Sequence, residues 1–282
     1  MTRTLLEICV DSFESAVAAI RGGADRLELC AALSEGGLTP SVGLLVQIRD
    51  FIAREAPSHE SPKLFVMIRC RRGSDFCYSE PEMQIMLYDM KLLAEAGADG
   101  FVFGALTDNG EIHREHCQRI AAEAQAVNKP LTFHRAFDCT NREQMSETLK
   151  VLVSLGYSTI LTSGFEKTAW TGVETIARLV QLATEIEASS GALVTIMPGS
   201  GLTQFYAAEI IRKTKCAAIH ASARSLKKST RPNSLSMGGN SADSEGLLVC
   251  NETIVRQINS LIDAVAISER YRPRSNRTER SK

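Results

Sequence analysis

Two short stretches of the chain carry the same reactive groups at the same spacing. Glu7 and Cys9 stand two residues apart in an apolar run near the start, and Glu28 and Cys30 repeat the arrangement after Gly22-Gly23-Ala24-Asp25. Residues two apart in a strand point to one face, so each stretch presents a carboxylate and a thiol on one side. If the two strands are neighbours, their ends lie ~5 Å apart and two thiols and two carboxylates meet. Thiolates are soft metal ligands, and paired carboxylates do acid–base work. A thiol standing alone is usually an inert core residue, which is the default for each of the eight cysteines.

Other reactive side chains fall at the ends of later apolar runs. Arg69, Cys70, Arg71 and Arg72 follow Leu64-Phe65-Val66-Met67-Ile68. His134, Arg135 and Asp138 follow Leu131-Thr132-Phe133, and His220, Ser222 and Arg224 follow Ala217-Ala218-Ile219. His134 and Asp138 could form an acid–base pair, since histidine titrates near neutral pH, or His134 could be a hydrogen-bonded structural residue. Met197-Pro198-Gly199-Ser200-Gly201 precedes an expected helix at about 203–213. Its glycines, Gly199 and Gly201, would let backbone N–H groups approach an anion, with Arg69, Arg71 and Arg224 as counter-charges, or they would simply make a tight turn. The rim charges could also pair into a plug across the mouth, Glu7 with Arg69 and Glu28 with Arg71.

These positions share a setting. Four- to six-residue apolar runs alternate with amphipathic segments, and the helices end in glycine with a strand following at once: Gly22-Gly23-Ala24-Asp25, Gly97-Ala98-Asp99 and Gly156-Tyr157-Ser158. Eight strand–helix units, with strands at about 4–10, 25–30, 64–68, 100–104, 131–134, 159–162, 193–197 and 217–220, predict a single-domain (β/α)8 TIM-type barrel. A doubly wound sheet would carry Gly-x-Gly-x-x-Gly after an early strand, and none stands there, so no nucleotide cofactor is expected. In such a barrel the strand ends form the functional face. The barrel is expected over 1–267, with a polar loop at about 224–248 and a basic, disordered tail over 268–282.

Composition narrows the partners. Of 282 residues 44% are hydrophobic and 23% charged, with a net charge of -1, so nothing favours nucleic acid or a membrane surface. No apolar run approaches the ~18 residues of a membrane span, and Glu7 interrupts the N-terminal run, which is no signal peptide. A cytoplasmic (or nuclear) protein with reduced thiols is expected. No Cys-x-x-Cys is present, which argues against a zinc knuckle. Soft thiolates suit Cu(I), and Cys9 and Cys30 at matching heights could hold it almost linearly. Glu7 and Glu28 would oppose the necessary deprotonation, while Arg69 or Arg71 would help it.

Taken together, these residues resemble the CutC family of copper homeostasis proteins. The resemblance rests on Glu7-Ile8-Cys9-Val10-Asp11-Ser12, Gly22 through Cys30, Ser34-Glu35-Gly36-Gly37-Leu38-Thr39-Pro40-Ser41, Val66-Met67-Ile68-Arg69 and Asp99-Gly100-Phe101-Val102-Phe103-Gly104. It continues through Thr132-Phe133-His134-Arg135-Ala136-Phe137-Asp138, Leu161-Thr162-Ser163-Gly164, Met197-Pro198-Gly199 and His220-Ala221-Ser222-Ala223-Arg224. It implies a TIM-type barrel, a cytoplasmic homo-oligomer (dimer or tetramer) and, as in animal members, one Cu(I) per chain through Cys9 and Cys30. Departures are Cys70 where the family has proline, Ser200 where it has glycine, and Ala218 where a polar residue is expected. The alternative is a barrel enzyme acting on a small phosphorylated or sugar-like anion, with Glu7, Glu28, His134 or Asp138 as acid–base groups.

Overall fold

A computed structural model describes residues 3–55, 61–228 and 246–270. Its centre is a parallel sheet of eight strands: β1 (Leu5–Val10), β2 (Arg26–Leu29), β3 (Lys63–Met67), β4 (Gly100–Phe103), β5 (Leu131–Phe133), β6 (Thr159–Thr162), β7 (Thr195–Pro198) and β8 (Ala218–Ala221). The order β7-β6-β5-β4-β3-β2-β1-β8 places every strand beside its sequence neighbour, and β8 returns to pair with β1 and lie against β7. This is the (β/α)8 barrel expected from the alternation. The outer layer is α1 (Phe13–Arg21), α2 (Val42–Glu55), α3 (Glu80–Glu95), α4 (Arg114–Ala126), α5 (Met145–Ser154), α6 (Val173–Ser190), α7 (Ala207–Thr214) and α8 (Glu252–Arg270).

Most of the hydrophobic core lies between strands and helices, where Leu6, Ile8, Val10, Leu27 and Leu29 meet Ala16, Ala19, Leu45 and Ile48. The barrel interior holds two smaller apolar clusters, Cys30 with Phe65, Met67 and Val102, and Leu161 with Met197 and Ala218. Apolar alternation thus runs outward along β1 and β2 and leaves Glu7, Cys9, Arg26, Glu28 and Cys30 for the inside.

The glycine-terminated helix ends share one mechanical role. Asp25 donates its N–H to the Leu6 carbonyl at 3.0 Å and accepts the Leu6 N–H on its carboxylate at 2.7 Å. Asp99 does the same with Leu64, at 2.8 and 2.9 Å, and Ser158 donates to the Leu131 carbonyl at 3.0 Å. In each case the residue entering an even-numbered strand grips the odd-numbered strand before it. Arg3 and Arg49 then hold the two carboxylates at 2.7 Å.

Some boundaries differ from expectation. β7 begins at Thr195 because Gly191 ends α6 in the left-handed region and Leu193, 71% exposed, lies in the connection. α7 begins at Ala207, after a turn, rather than at about 203. The polar stretch over 224–248 is framed by strands β9 (Arg224–Lys227) and β10 (Leu247–Cys250), paired antiparallel, while its interior at 229–245 lies outside the described residues. α8 runs to Arg270, three residues into the expected tail, and 271–282 lie outside the described residues.

Replacing Asp99 by alanine strands the Leu64 N–H and leaves Arg49 with the Gly97 carbonyl but no carboxylate. Asp99→Ala is expected to lower unfolding stability by about 1–3 kcal/mol, seen as a lower urea midpoint with an unchanged slope.

Candidate functional site

Strand register decides which side chains meet at the barrel mouth. β1 and β2 pair as Glu7 with Arg26 and Cys9 with Glu28, so Cys30 stands one inward step above Cys9 rather than level with it. On the other side Glu7 pairs with His220 of β8. Glu7 is fully buried, and its carboxylate accepts from Arg26 Nε and lies 2.7 Å from His220 Nδ1. Arg26 also stacks over the Phe65 ring at 4.3 Å and reaches Met197 Sδ at 3.2 Å. Burial would raise the Glu7 pKa, but Arg26 and His220 hold it well below the usual carboxylate range.

Above this pair lie Cys9, Glu28 and His220, all buried, with one ligand atom from each within 4.8 Å of the others. His220 Nε2 is 3.9 Å from a Glu28 oxygen. Burial alone would lower the His220 pKa, but Cys9, Glu28 and Glu7 raise it well above the ordinary histidine value. Glu28 is pushed up by burial and by the Glu7 charge. Cys30 Sγ donates to Glu28 Oε2 at 3.5 Å, and burial together with that carboxylate pushes its thiol well up. The second Glu28 oxygen, Oε1, is buried with no partner among the described residues.

The arginines divide by environment. Arg69 does not reach Glu7: it donates to the carbonyls of Glu35, Gly37 and Gly73 at 3.1, 2.9 and 2.7 Å, and its ring neighbour is Phe76 at 5.4 Å. Arg71 points the other way, to Glu82 at 2.6 Å, Asp75 at 3.0 Å and the Cys77 carbonyl, so it neither pairs with Glu28 nor lines the mouth. The plug of Glu7 with Arg69 and Glu28 with Arg71 is therefore replaced by Glu7 with Arg26 and His220. Arg26 was missed, although it occupies the same face as Glu28 and Cys30 in Arg26-x-Glu28-x-Cys30.

His134 and Asp138 do not form a pair. Asp138 spends its carboxylate on Arg135 Nε, the N–H groups of Ser163 and Phe165, and the hydroxyls of Thr162 and Ser163. It ties the β5 loop to the β6 loop. His134 Nδ1 accepts from the Ala136 N–H at 3.1 Å, so its proton sits on Nε2, which has no described partner. Burial, aided by the Arg69 charge, pushes this imidazole down to about 3, keeping it neutral. Gly199 fits where a Cβ would come 2.5 Å from Leu161 and 3.3 Å from His220, and Gly201 has φ +64. Arg224 makes no hydrogen bond or ion pair with a described residue.

A cavity of ≈ 690 Å³ opens over this group, bordered by Cys9, Glu28, Arg69, His134, His220 and Arg224. The mouth can thus offer a soft donor, a carboxylate, an imidazole N–H and cationic groups to one small species.

Comparison with known proteins agrees with this architecture. The family model that matches, the CutC family, covers residues 4–225. The human copper homeostasis protein cutC homolog is 41% identical over 267 residues, spanning 93% of this chain and 90% of the human protein. The Drosophila melanogaster homolog is 43% identical over 218 residues, covering 77% and 76% of the two chains. The crystal structure of CutC from Streptococcus agalactiae superposes with a TM-score of 0.69 at 28% identity, over 78% of this chain and 98% of that one.

The neutral, buried His134 has a consequence for stability. The unfolded chain protonates its histidines near 6.5, whereas folded His134 stays neutral to about 3, so the unfolded state binds the extra proton in between. His134 should therefore lower stability by about 1.4 kcal/mol for each pH unit below about 6.5. Urea unfolding at pH 6.5, 5.5 and 4.5 is expected to show a shallower decline for His134→Phe than for the unaltered protein, and parallel declines would refute it.

Proposed function

Because the chain belongs to the CutC family, we propose that it is a copper homeostasis protein that takes one Cu(I) ion at the barrel mouth through Cys9 and Cys30. The observation that carries this reading is the buried group of Cys9, Glu28 and His220 with ligand atoms within 4.8 Å, joined to the second thiol by the Cys30–Glu28 hydrogen bond. The copper names of the human and Drosophila relatives support the choice of metal. Donor chemistry supports it too: two thiols favour a soft monovalent ion over a hard divalent one.

The surrounding charges suit uptake and release. A thiol must lose its proton to bind, and Glu28 already accepts from Cys30, so the carboxylate is placed to receive that proton. The His220 imidazolium faces Cys9 and offsets a thiolate there. The offset of Cys30 above Cys9 is one step of the strand, which a shared ion between the two would span by side-chain rotation. Proton release on binding means that apparent affinity rises with pH.

The same reading places the protein in the cytoplasm or nucleus, where thiols stay reduced and Cu(I) is the stable state. No helix among the described residues is long and apolar enough to cross a membrane. A homo-oligomer is part of the proposal: Ile85, Tyr88 and Leu92 lie exposed at i, i+3 and i+7 on α3, an apolar stripe that a second copy would cover.

Anaerobic titration against a chromophoric Cu(I) chelator is expected to give one ion per chain. Cys9→Ser/Cys30→Ser should lose stoichiometric uptake, and Glu28→Gln should weaken it on the order of tenfold. Equal stoichiometry in the double variant and the unaltered chain would remove these ligands.

A further inference from the structure

A second cavity of ≈ 360 Å³ adjoins the first and shares Cys9, Arg135, His220 and Arg224 with it. Its floor is the loop after β7, residues 200–203. None of the N–H groups of Ser200, Gly201, Leu202 and Thr203 donates to a described residue. Ser200 and Gly201 are successive left-handed residues, at φ 75 and 64. The strained turn is clamped from behind: the Ser200 carbonyl accepts from Ala169 N–H at 2.9 Å, and Ser200 Oγ donates to the Lys167 carbonyl at 2.8 Å. Unpaired N–H groups held on a rigid turn make a concavity for an anion.

Charge on the walls points the same way. Arg224, which borders both cavities, has no described partner. Arg69 is 5% exposed, yet its N–H groups meet only backbone carbonyls and its Nε meets nothing described. The two carboxylates on the larger wall are already opposed, Glu28 by His220 and Glu35 by Arg72. The two cations thus leave positive charge without a partner carboxylate.

The larger cavity adds polar groups that need a ligand rather than a charge. His134 is 4% exposed, and its Nε2–H has no described partner. Glu28 Oε1 is an unfilled acceptor on the same wall. One buried donor and one buried acceptor match a polyol, whose hydroxyls accept and donate. Phe76, held at φ 53, packs its ring 4.9 Å from His134 and covers that side of the cavity.

We propose that the mouth binds a sugar phosphate, with the phosphoryl group on the 200–203 turn and Arg224 and the hydroxylated body between His134 and Glu28. The site does not require copper.

Isothermal titration of the metal-free full chain with ribose 5-phosphate, inorganic phosphate and ribose tests it. Ribose 5-phosphate should bind saturably and more tightly than inorganic phosphate, and ribose should not register. Arg224→Ala should weaken both phosphate probes by roughly tenfold or more, since it removes a charged hydrogen-bond donor. His134→Phe should weaken ribose 5-phosphate alone. Arg224→Ala, which removes none of the proposed Cu(I) ligands, should leave Cu(I) stoichiometry unchanged while weakening both phosphate probes, so the two sites can fail separately. No saturable binding of either phosphate probe by about 10 mM, or undiminished binding in Arg224→Ala, would overturn the proposal. Equal affinity for the two phosphate probes would overturn its sugar half.

Discussion

Everything at the mouth depends on a carboxylate buried where water does not reach. Glu7 has no solvent exposure, and an isolated charge there would cost several kcal/mol in lost hydration. The barrel resolves this through strand pairing: Arg26 is level with Glu7 on one side and His220 on the other. Because both partners come from the immediate neighbours of β1, the charge cluster and the hydrogen-bonded ladder enforce one register. A slip of one residue would turn Glu7 into the apolar layer facing the helices and Ile8 into the barrel.

That cluster sets the electrostatics one layer up. Arg26 is consumed by Glu7, so it lends little to the thiols. His220, whose pKa is raised by Cys9, Glu28 and Glu7, faces both Glu7 and the Cys9–Glu28 level and links the two layers. Glu28, buried and with the Glu7 charge beneath it, holds its proton more firmly than an exposed glutamate would. The two carboxylates, alike in sequence context, are therefore shifted in opposite directions: Glu7 down by Arg26 and His220, Glu28 up by burial and the Glu7 charge.

The fold was legible because its signals are local and repeated. Alternating apolar runs, glycine stops and the three strand-entry turns at Asp25, Asp99 and Ser158 each report on a neighbouring segment. The meeting of Glu7, Cys9, Glu28 and Cys30 inside the barrel also followed, since a two-residue period needs no partner to read. Pairing did not follow. Which arginine meets Glu7 depends on how far β2 slides along β1, and the stretch itself contains three inward residues, Arg26, Glu28 and Cys30, any of which could have been level with Glu7. Assigning Arg69 to Glu7 assumed that charges at strand ends meet across the mouth, whereas a guanidinium next to a glycine-rich loop finds carbonyls closer at hand. Asp138 misled for a related reason: the 3₁₀ turn after β5 folds its carboxylate toward the β6 loop, away from His134.

Arg26 and Arg69 show how one residue type is made to serve opposite ends. Both are buried, at 7% and 5% exposure. Arg26 meets a carboxylate, so its charge is cancelled in place and the pair acts as a brace. Arg69 meets three carbonyls fixed by the loops after β2 and β3, which satisfy its hydrogen bonds but leave its net charge standing. A carbonyl cage stabilises a guanidinium at a smaller gain than a carboxylate would, and the difference persists as a field in the adjoining cavity. A barrel needing only rigidity would be better served by a second carboxylate at that position. The mouth instead keeps Glu28 on the thiol side and Arg69 and Arg224, with no carboxylate partner among the described residues, on the loop side.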